Sequence, residues 1–408
     1  MPPRTSLPTP TLELDPDVPH IADFYRYADL LTDEENARLR RLRAFLSSEV
    51  APVVERAWDT AEFPMELVAG FAELDLAGAA YTDPPASRLL IGFAHAEIAR
   101  IDASINSFFG VHSGLAMGSI WACGTPEQQD RWLPAMARME QIGAFGLTEP
   151  HGGSDVAGGM ETTATRDGDE WVLDGEKRWI GNATLADLIV IWARDTDPAA
   201  QEAVRGFVVP SPSDGMTITK IEGKQSLRIV QNADIVLDRV RVPETHRLSG
   251  GRGTFGDAGA VLQRTRANAS WGAVGVQMAA YELALTYSRQ REQFGRPIAG
   301  FQLMQDLLVK MLGNVTASLG MAVRNAQLIE AGHGSDAHSS LAKEFCASRM
   351  RETVAWARQL VGGNGILLSN GIARYLADAE ALFSFEGTRE MNTLIVGKAV
   401  TGHSAFVR

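Results

Sequence analysis

The sequence predicts an α+β protein in three parts: an N-terminal α-helical domain, a small antiparallel β-barrel and a C-terminal four-helix bundle. Near both ends of the chain, apolar residues recur every three or four positions, which is typical of amphipathic helices. In the middle, the apolar period is close to two and Asp-Gly turn pairs separate the runs, which is typical of short strands. We therefore divide the chain into an extended arm (1–24), a helical domain (25–142), a barrel (143–257) and a bundle (258–408).

The helical domain is predicted from helix-start signals and apolar spacing. Thr32 and Glu35 form a capping box before one helix, and Thr125 with Gln128 forms another, with proline in its first turn. The barrel and the bundle are predicted from the strand and helix patterns. The expected strands are Trp171–Leu173, Leu188–Trp192, Gly206–Val209, Met216–Ile221 and Ala233–Val242. The expected helices, after a glycine-rich linker at Gly250–Gly259, are Ala260–Gln293, Phe301–Ala331, His338–Val361, Ile372–Ala381 and a last helix capped by Thr388.

Composition narrows the possible functions. The 408 residues carry a formal net charge of −12, which argues against nucleic-acid binding. No apolar run approaches the ~18 residues that cross a bilayer, so no membrane association is expected. The two cysteines, Cys123 and Cys346, suit a reducing cytoplasm, and no metal-binding or Gly-x-Ser-x-Gly motif is present.

Glu386 is the candidate catalytic residue. It is predicted to lie in a loop between two helices, flanked by Phe383, Phe385 and Gly387. Burial among apolar groups raises the pKa of a carboxyl group, and this favours a role as general base. The alternative from these residues alone is a solvated surface glutamate.

Three motifs carry a resemblance to a known family. Gly362-Gly-Asn-Gly365 followed by Phe385-Glu-Gly-Thr388, the segment Phe145–Asp155 and the segment Lys177–Asn182 resemble the signatures of acyl-CoA dehydrogenases, which are flavoproteins. The resemblance implies that Glu386 is the catalytic base and that FAD is the cofactor. Phe385 stands where the family usually has tyrosine, and Gly181 stands where most members have a threonine that bonds the flavin.

The resemblance also implies the binding residues. Those matched to FAD contacts are Phe145, Leu147, Thr148, Trp179, Ile180, Gly181, Arg291, Phe294, Gln359, Gly363, Thr388 and Glu390. Arg291 is expected to reach the FAD of a neighbouring subunit. Those matched to substrate contacts are Ser154, Arg266 and Asn106. His112 is either a residue of the acyl pocket or a core histidine.

The implied reaction is the α,β-dehydrogenation of a short- or medium-chain acyl-CoA to a trans-2-enoyl-CoA. Electrons would pass to an electron-transfer flavoprotein, and the expected assembly is a homotetramer. Within the family, the chain most resembles glutaryl-CoA dehydrogenases and plant short-chain acyl-CoA oxidases. Two enzymatic alternatives therefore remain, a short-chain acyl-CoA oxidase that uses O₂, which Gly181 favours, and a glutaryl-CoA dehydrogenase. In the latter family an arginine binds the distal carboxylate, and Asn106 stands in its place, so an uncharged acyl group is expected. A third alternative is an inactive flavin-binding interaction protein.

Overall fold

The computed structural model describes residues 10–200 and 203–406 and confirms the predicted fold class. The first part contains helices α1 to α7: Asp33–Phe45, Val54–Thr60, Leu67–Glu73, Arg88–Ile101, Ala103–Phe109, Gly118–Cys123 and Pro126–Ala137. A wide helical segment, Gly110–Met117, joins α5 to α6. Both predicted capping boxes are present, at Thr32 and at Thr125. Asp102 separates α4 from α5, because its side chain accepts hydrogen bonds from two amides at the start of α5.

The proline-rich arm lies against the helical domain where it is described. The Arg100 guanidinium donates a hydrogen bond of 2.7 Å to the carbonyl of Glu13. His20 is buried and contacts Glu97 of α4 at 2.8 Å. The arm is thus held by buried polar contacts, whereas residues 1–9 of the predicted arm lie outside the described residues.

The middle part is one seven-stranded sheet. Its strands β1 to β7 are Gly143–Gly146, Thr163–Asp167, Glu170–Ile180, Leu188–Asp195, Val204–Pro210, Met216–Lys220 and Ala233–Pro243. The prediction that all strands are antiparallel is wrong in one detail, because β1 and β2 both pair with β4 in parallel. The sequence pattern also missed β1 and β2. All four residues of β1 are buried, so this strand lacks the alternation that identifies a half-exposed strand.

The C-terminal part contains α8 to α12: Phe255–Gln290, Gln302–Glu330, Asp336–Val361, Ile372–Ser384 and Arg389–Thr401. A small hairpin of β8 (Glu292–Gln293) and β9 (Arg296–Pro297) follows α8. The predicted linker is too long, because Thr254 caps α8 and the helix begins within that segment. The Gly362 break after α10 is confirmed, as is the Thr388 cap of α12.

Among the described helices, α9 alone has the length and apolar composition that a membrane span would need. Its charged residues include Asp306 and Lys310, which form an ion pair of 2.7 Å on an exposed face. The opposite face buries Leu307, Met311 and Val315 and contacts α8 and α10. The same composition is therefore that of a core helix in a bundle.

One buried carboxylate joins all three parts of the chain. Asp378 of α11 accepts a hydrogen bond of 3.1 Å from the Trp58 indole of α2. It also accepts one of 2.7 Å from the backbone N–H of Leu227, in the loop between β6 and β7. Burial raises the pKa of Asp378 to about 7. The relative placement of the helical domain, the sheet and the bundle is thus fixed at a shared point.

Candidate active site

A cleft opens between the helical domain and α8. In the mostly buried run from α5 to α6, one face stays partly exposed, and it comprises Ser107, Gly110, Val111, Gly114 and Leu115. Asn268 and Ala269 of α8 are partly exposed as well. A Cβ atom placed on Gly114 would lie 3.3 Å from Thr265 Cγ2 and 3.7 Å from Asn268 Nδ2. The two walls therefore come close together at Gly114, while the residues beside them stay partly exposed.

Glu386 lies at one end of this cleft. Thr265 Oγ1 donates a hydrogen bond of 2.8 Å to Glu386 Oε2. The backbone of Glu386 is left-handed, with φ of 57°, and Gly387 follows with φ of 81°. A left-handed conformation costs a non-glycine residue about 1–3 kcal/mol and persists only where the surroundings impose it.

The surroundings that impose it are a buried lysine and a helix cap. Lys343 Nζ of α10 donates hydrogen bonds of 2.8 Å to the carbonyls of Phe383 and Gly387, on either side of the base. Thr388 Oγ1 then accepts from the Met391 amide at 3.3 Å and begins α12. The short loop is held at both ends, and this fixes the direction of the Glu386 side chain.

The electrostatic setting suits a base. Burial raises the pKa of Glu386, while the Thr265 hydroxyl and the charges of Arg266 and Lys343 oppose that rise. Arg266 Nη1 contacts Asp336 Oδ1 at 2.5 Å, which neutralises part of its charge. A carboxylate in this environment is a better proton acceptor than one in water.

Replacing Thr265 by valine is expected to move the acidic limb of the pH–kcat/KM profile to higher pH. The hydroxyl donates to the ionised carboxylate, so its removal disfavours that form and raises the pKa of Glu386 further. At pH values below the limb, kcat/KM should fall about 3- to 10-fold relative to wild type, the effect of one hydrogen bond. Thr265→Ser, which keeps the hydroxyl, should retain the wild-type limb. An unchanged limb in the valine variant would contradict the contact.

A second group of predicted residues lies where β1 meets the end of β3. Phe145 and Leu147 are buried at this junction, as is Ile180, and Thr148 is half-buried. The Arg178 amide donates a hydrogen bond of 2.8 Å to the carbonyl of Thr148. Phe145 belongs to β1, and the loop that carries the rest of the motif follows Gly146.

A buried ion pair fixes this loop. Lys177 Nζ donates hydrogen bonds of 2.7 Å to Glu149 Oε1 and 3.2 Å to the carbonyl of Leu147. Glu149 also accepts from the amides of Glu161 and Thr162, at 2.6 Å and 3.0 Å. Burial lowers the pKa of Lys177 to about 8, against the attraction of Glu149. A buried charge pair with this many partners holds a single backbone conformation.

Trp179 and Gly181 connect this junction to the cleft. Trp179 is 52% exposed and has a left-handed backbone with φ of 64°. A Cβ atom on Gly181 would lie 3.1 Å from Val111 Cγ2, on the partly exposed face of the cleft. Asn182 Nδ2 donates a hydrogen bond of 3.0 Å to the carbonyl of Phe108. An exposed indole and a buried glycine thus lie at the end of β3, and the glycine is packed against Val111 of the cleft.

The remaining residues predicted near the site occupy different positions. Ser154 is exposed in the turns after Leu147, and Glu390 is exposed in the first turn of α12. Asn106 is buried and pairs with His95, Nδ1 to Oδ1, at 2.8 Å. His112 is a core histidine, because it contacts the Met136 carbonyl at 2.9 Å and accepts from the Gly143 amide at 3.0 Å.

Four predicted FAD residues lie at the far end of the bundle. Arg291 follows α8, and the 26 residues after Thr265 span about 39 Å of helix. Phe294 is 93% exposed in the turn between β8 and β9. Gln359 and Gly363 are exposed at the end of α10, and neighbouring Asn364 bonds the Tyr287 hydroxyl at 3.0 Å, near the same end of α8. The structure therefore does not bring these four residues to Glu386 within one chain.

Comparison with known proteins decides the family. Family models match in order the acyl-CoA dehydrogenase N-terminal domain at residues 32–140, the middle domain at 144–240 and the C-terminal domain at 252–401. The chain belongs to the acyl-CoA dehydrogenase family. It is an oxidoreductase of a class that uses FAD.

Individual acyl-CoA dehydrogenase relatives cover nearly the whole chain. An acyl-CoA dehydrogenase of Bacillus subtilis is 31% identical over 376 residues, which are 91% of this chain and 99% of the relative. The caffeyl-CoA reductase–Etf complex subunit CarC of Acetobacterium woodii is 29% identical over 372 residues, covering 89% and 97%.

Solved structures agree with the fold. A glutaryl-CoA dehydrogenase from Mycobacterium smegmatis in complex with FADH2 superposes with a TM-score of 0.91 at 32% identity, covering 96% of this chain and 100% of that one. The butyryl-CoA dehydrogenase of Megasphaera elsdenii superposes with a TM-score of 0.87 at 28% identity, covering 91% and 98%. The predicted family resemblance is confirmed.

The structure adds residues to the acyl-CoA dehydrogenase site that the sequence did not single out. Thr265 bonds the base, Lys343 holds its loop, and Glu149 with Lys177 fixes the loop after β1. Glu149 and Lys177 belong to the motifs that carry the family resemblance, so the sequence could have indicated both residues. Thr265 and Lys343 lie in predicted helices, and nothing else in the sequence marks them. Their hydrogen-bond partners lie 40 or more residues away, so no local pattern indicates these contacts.

Proposed function

We propose that this protein catalyses the FAD-dependent α,β-dehydrogenation of an uncharged short- or medium-chain acyl-CoA, with electrons passed to an electron-transfer flavoprotein. The observation that carries the proposal is the Glu386 carboxyl group, buried at the end of a cleft and directed by Thr265. A general base with a raised pKa next to an enclosed opening is what removal of a weakly acidic α-proton needs.

The chain's own residues account for the proton transfer. Glu386 takes the α-proton of the thioester, and the Thr265 hydroxyl keeps the carboxylate pointed at that proton. The thioester oxygen gains negative charge as the proton leaves and needs a donor placed in advance. The backbone N–H of Glu386, which bonds no described residue, is the proposed donor. Bound FAD supplies the hydride acceptor.

The residues at the β1–β3 junction fit a flavin. Trp179 offers an exposed aromatic face. Gly181 is buried against Val111 and offers only its backbone amide to a ring. Buried Phe145, Leu147 and Ile180 support this edge, and the Glu149–Lys177 pair keeps the Thr148 loop in one conformation. These residues would hold the ring system, while Ser154 of the following exposed turn would contact CoA.

Four residues at the other end of the bundle, three exposed and one half-buried, support a homotetramer. Arg291, Phe294, Gln359 and Gly363 match FAD contacts but lie about 39 Å along α8 from Thr265. Such residues can complete a site only in another copy of the chain. Exposed Ile366 and Leu367 beside them add apolar surface that an interface would cover.

Replacing Arg291 by alanine is expected to release FAD without unfolding the subunit. Arg291 is only half-buried and begins a turn, so its loss creates no cavity. A bidentate guanidinium contact to phosphate is worth about 1.5–3 kcal/mol, so the FAD dissociation constant should rise at least ~10-fold. Flavin fluorescence after gel filtration measures the loss, and circular dichroism checks the fold. Arg296→Ala, in the same hairpin, is the matched control. A stable monomer that binds FAD stoichiometrically would contradict the shared site.

The electron acceptor decides between the dehydrogenase and its oxidase alternative. Gly181 favours the oxidase, whereas the relative from Acetobacterium woodii, described as part of an Etf complex, favours an electron-transfer flavoprotein. The test adds butyryl-CoA to the enzyme in air and measures the rate of peroxide formation. This rate is compared with the rate at which an artificial one-electron acceptor is reduced. Rapid acceptor reduction with little peroxide supports the proposal. Formation of one peroxide per substrate oxidised, at a rate comparable to acceptor reduction, would show that the protein is an oxidase instead.

A further inference from the structure

The ladder between β3 and β7 is interrupted close to the end of β3. Its register shifts between Lys177 and Ile180. Arg178 and Trp179 therefore face the single residue Asp234 of β7, as in a β-bulge. The backbone of Trp179 is left-handed, with φ of 64°, and a non-glycine residue keeps that conformation only where its surroundings impose it. Contacts outside the ladder must hold this turn of the chain.

The side chain of Asn232, directly before β7, provides such a contact. Asn232 Nδ2 donates a hydrogen bond of 3.2 Å to the carbonyl of Trp179. A Cβ atom on Gly181 would lie 3.7 Å from Val230 Cγ1 and 3.8 Å from Asn232 Nδ2. The end of the loop between β6 and β7 thus lies against both residues that the proposed function places beside the flavin.

A half-buried lysine in the same loop holds Asn232. Lys224 Nζ donates hydrogen bonds of 2.6 Å to Asn232 Oδ1, 2.6 Å to the carbonyl of Val230 and 2.8 Å to the carbonyl of Leu227. An ammonium group has three N–H donors, and each of them has one of these oxygens as its partner. Burial lowers the pKa of Lys224 to about 8, so the group keeps its three donors at neutral pH.

Lys224 also fixes which way the Asn232 amide points. An amide can turn over, and this exchanges the positions of its oxygen and its NH2 group. An ammonium group can only donate, so the amide atom that faces Lys224 is the oxygen. The NH2 group is then left on the side of Trp179, where the carbonyl accepts from it. Through one side chain, Lys224 determines whether the Trp179 carbonyl has a donor.

The same loop is tied to the helix that leads to the base. Leu227 has a left-handed backbone with φ of 47°. Its carbonyl accepts from Lys224, and its N–H donates a hydrogen bond of 2.7 Å to Asp378 Oδ1 of α11. Helix α11 ends at Ser384, two residues before Glu386. The loop therefore connects the helix before the base to the strand end that would face the flavin.

We propose that Lys224 is a positioning residue, which acts through Asn232 to hold residues 179–181 in the conformation that a flavin ring requires. The inference rests on the proposed function, which places Trp179 and Gly181 beside the ring. Without the ammonium group, the Asn232 amide is free to turn over and the Trp179 carbonyl loses its donor. The left-handed turn then relaxes, and the Gly181 amide leaves the place where the ring could accept from it.

The test uses Lys224→Met, which removes the three donors and keeps the apolar stem. In full-length holoenzyme with excess FAD, hydrogen–deuterium exchange of the peptide that contains residues 179–182 is expected to be about 3- to 10-fold faster than in wild type, the effect of one hydrogen bond. The FAD dissociation constant should rise by a similar factor, and the limiting rate of flavin reduction by butyryl-CoA should fall by it. The dissociation constant of butyryl-CoA should keep its wild-type value, because Thr265 and Glu386 keep their contact.

Two further variants separate positioning from the stability of the loop. Asn232→Asp keeps the oxygen that faces Lys224 but removes the donor to Trp179, so it should reproduce the changes of Lys224→Met even if the latter folds poorly. Lys220→Met is the matched control. Lys220 lies at the start of the same loop and donates to the carbonyl of Ala61 at 2.9 Å, so this variant removes the same charge and a hydrogen bond of similar length. It should keep the wild-type exchange rate and FAD affinity.

The outcomes distinguish this role from the proposed function. Wild-type exchange of residues 179–182 in both Lys224→Met and Asn232→Asp would overturn the inference. Equal changes in Lys220→Met would overturn it too, as would faster exchange with unchanged FAD affinity and reduction rate. A wild-type flavin that butyryl-CoA does not reduce would overturn the proposed function, while the exchange rates and FAD affinities would still decide the role of Lys224.

Discussion

Replacing Glu386 by glutamine is expected to give a yellow, folded flavoprotein whose turnover is at least ~10³-fold lower than wild type. Glutamine keeps the size of the side chain and can still accept the Thr265 hydrogen bond through its amide oxygen. It cannot accept the α-proton. Rapid-mixing measurement of flavin reduction by butyryl-CoA isolates the chemical step, and equilibrium titration shows whether the thioester still binds.

A second glutamate on the preceding helix provides the control. Glu380 is exposed on α11 and pairs with Arg351 at 2.8 Å, so Glu380→Gln changes the same charge near the same loop. We expect this variant to reduce flavin at the wild-type rate. Near-normal reduction in Glu386→Gln, or an equal loss in both variants, would show that Glu386 is not the base.

The kcat/KM for thioesters with an uncharged acyl group is expected to be at least ~10²-fold higher than that for glutaryl-CoA. Asn106 is buried and pairs with His95, whose pKa burial lowers to about 4. An amide offsets only part of the several kcal/mol that a buried carboxylate costs without a cation. The nearby arginines have carboxylate partners: Arg100 contacts Glu282 at 2.6 Å, and Arg374 contacts Asp102 at 2.7 Å. Neither is available to a substrate without breaking a buried pair.

Pentanoyl-CoA is the matched comparison for glutaryl-CoA, because the two acyl groups have the same carbon count and differ in the terminal charge. The measurement is kcat/KM for each, with product analysis by mass spectrometry. Equal or better kinetics with glutaryl-CoA, or crotonyl-CoA and CO₂ as its products, would identify a glutaryl-CoA dehydrogenase instead. Arg266, half-buried beside the base and paired with Asp336, is the residue to examine in that case.

Local signals in the sequence predicted much of the fold, whereas pairing between distant segments was not predictable. The capping residues Thr32 and Thr125 begin helices as expected, since each acts within its own turn. The parallel pairing of Gly143 with Leu188 joins residues 45 positions apart, and neither strand encodes its partner's direction. For that reason the sequence indicated a sheet but assigned it antiparallel pairing throughout.

In the candidate site too, the sequence indicated the residues with a local signal and gave no sign of contacts between distant residues. Glu386 was predictable because its loop, with a glycine on one side and a cap on the other, is a local feature. The contact with Thr265 spans 121 residues, and no spacing in the sequence indicates it. His95 and Asn106 are close in sequence, but Asp102 ends one helix and begins the next between them. Their contact depends on that bend, so helical periodicity gives no sign of it.

The Asp378 contacts constrain how this protein can be recombined with its relatives. A chimaera that takes its bundle from one parent and its sheet or helical domain from another must also match Trp58 and the loop at Leu227. A mismatch leaves a buried carboxyl group without one of its donors, which costs about 1–3 kcal/mol. Three separate family models match the three segments, yet the contacts of one side chain on α11 must be kept across all of them.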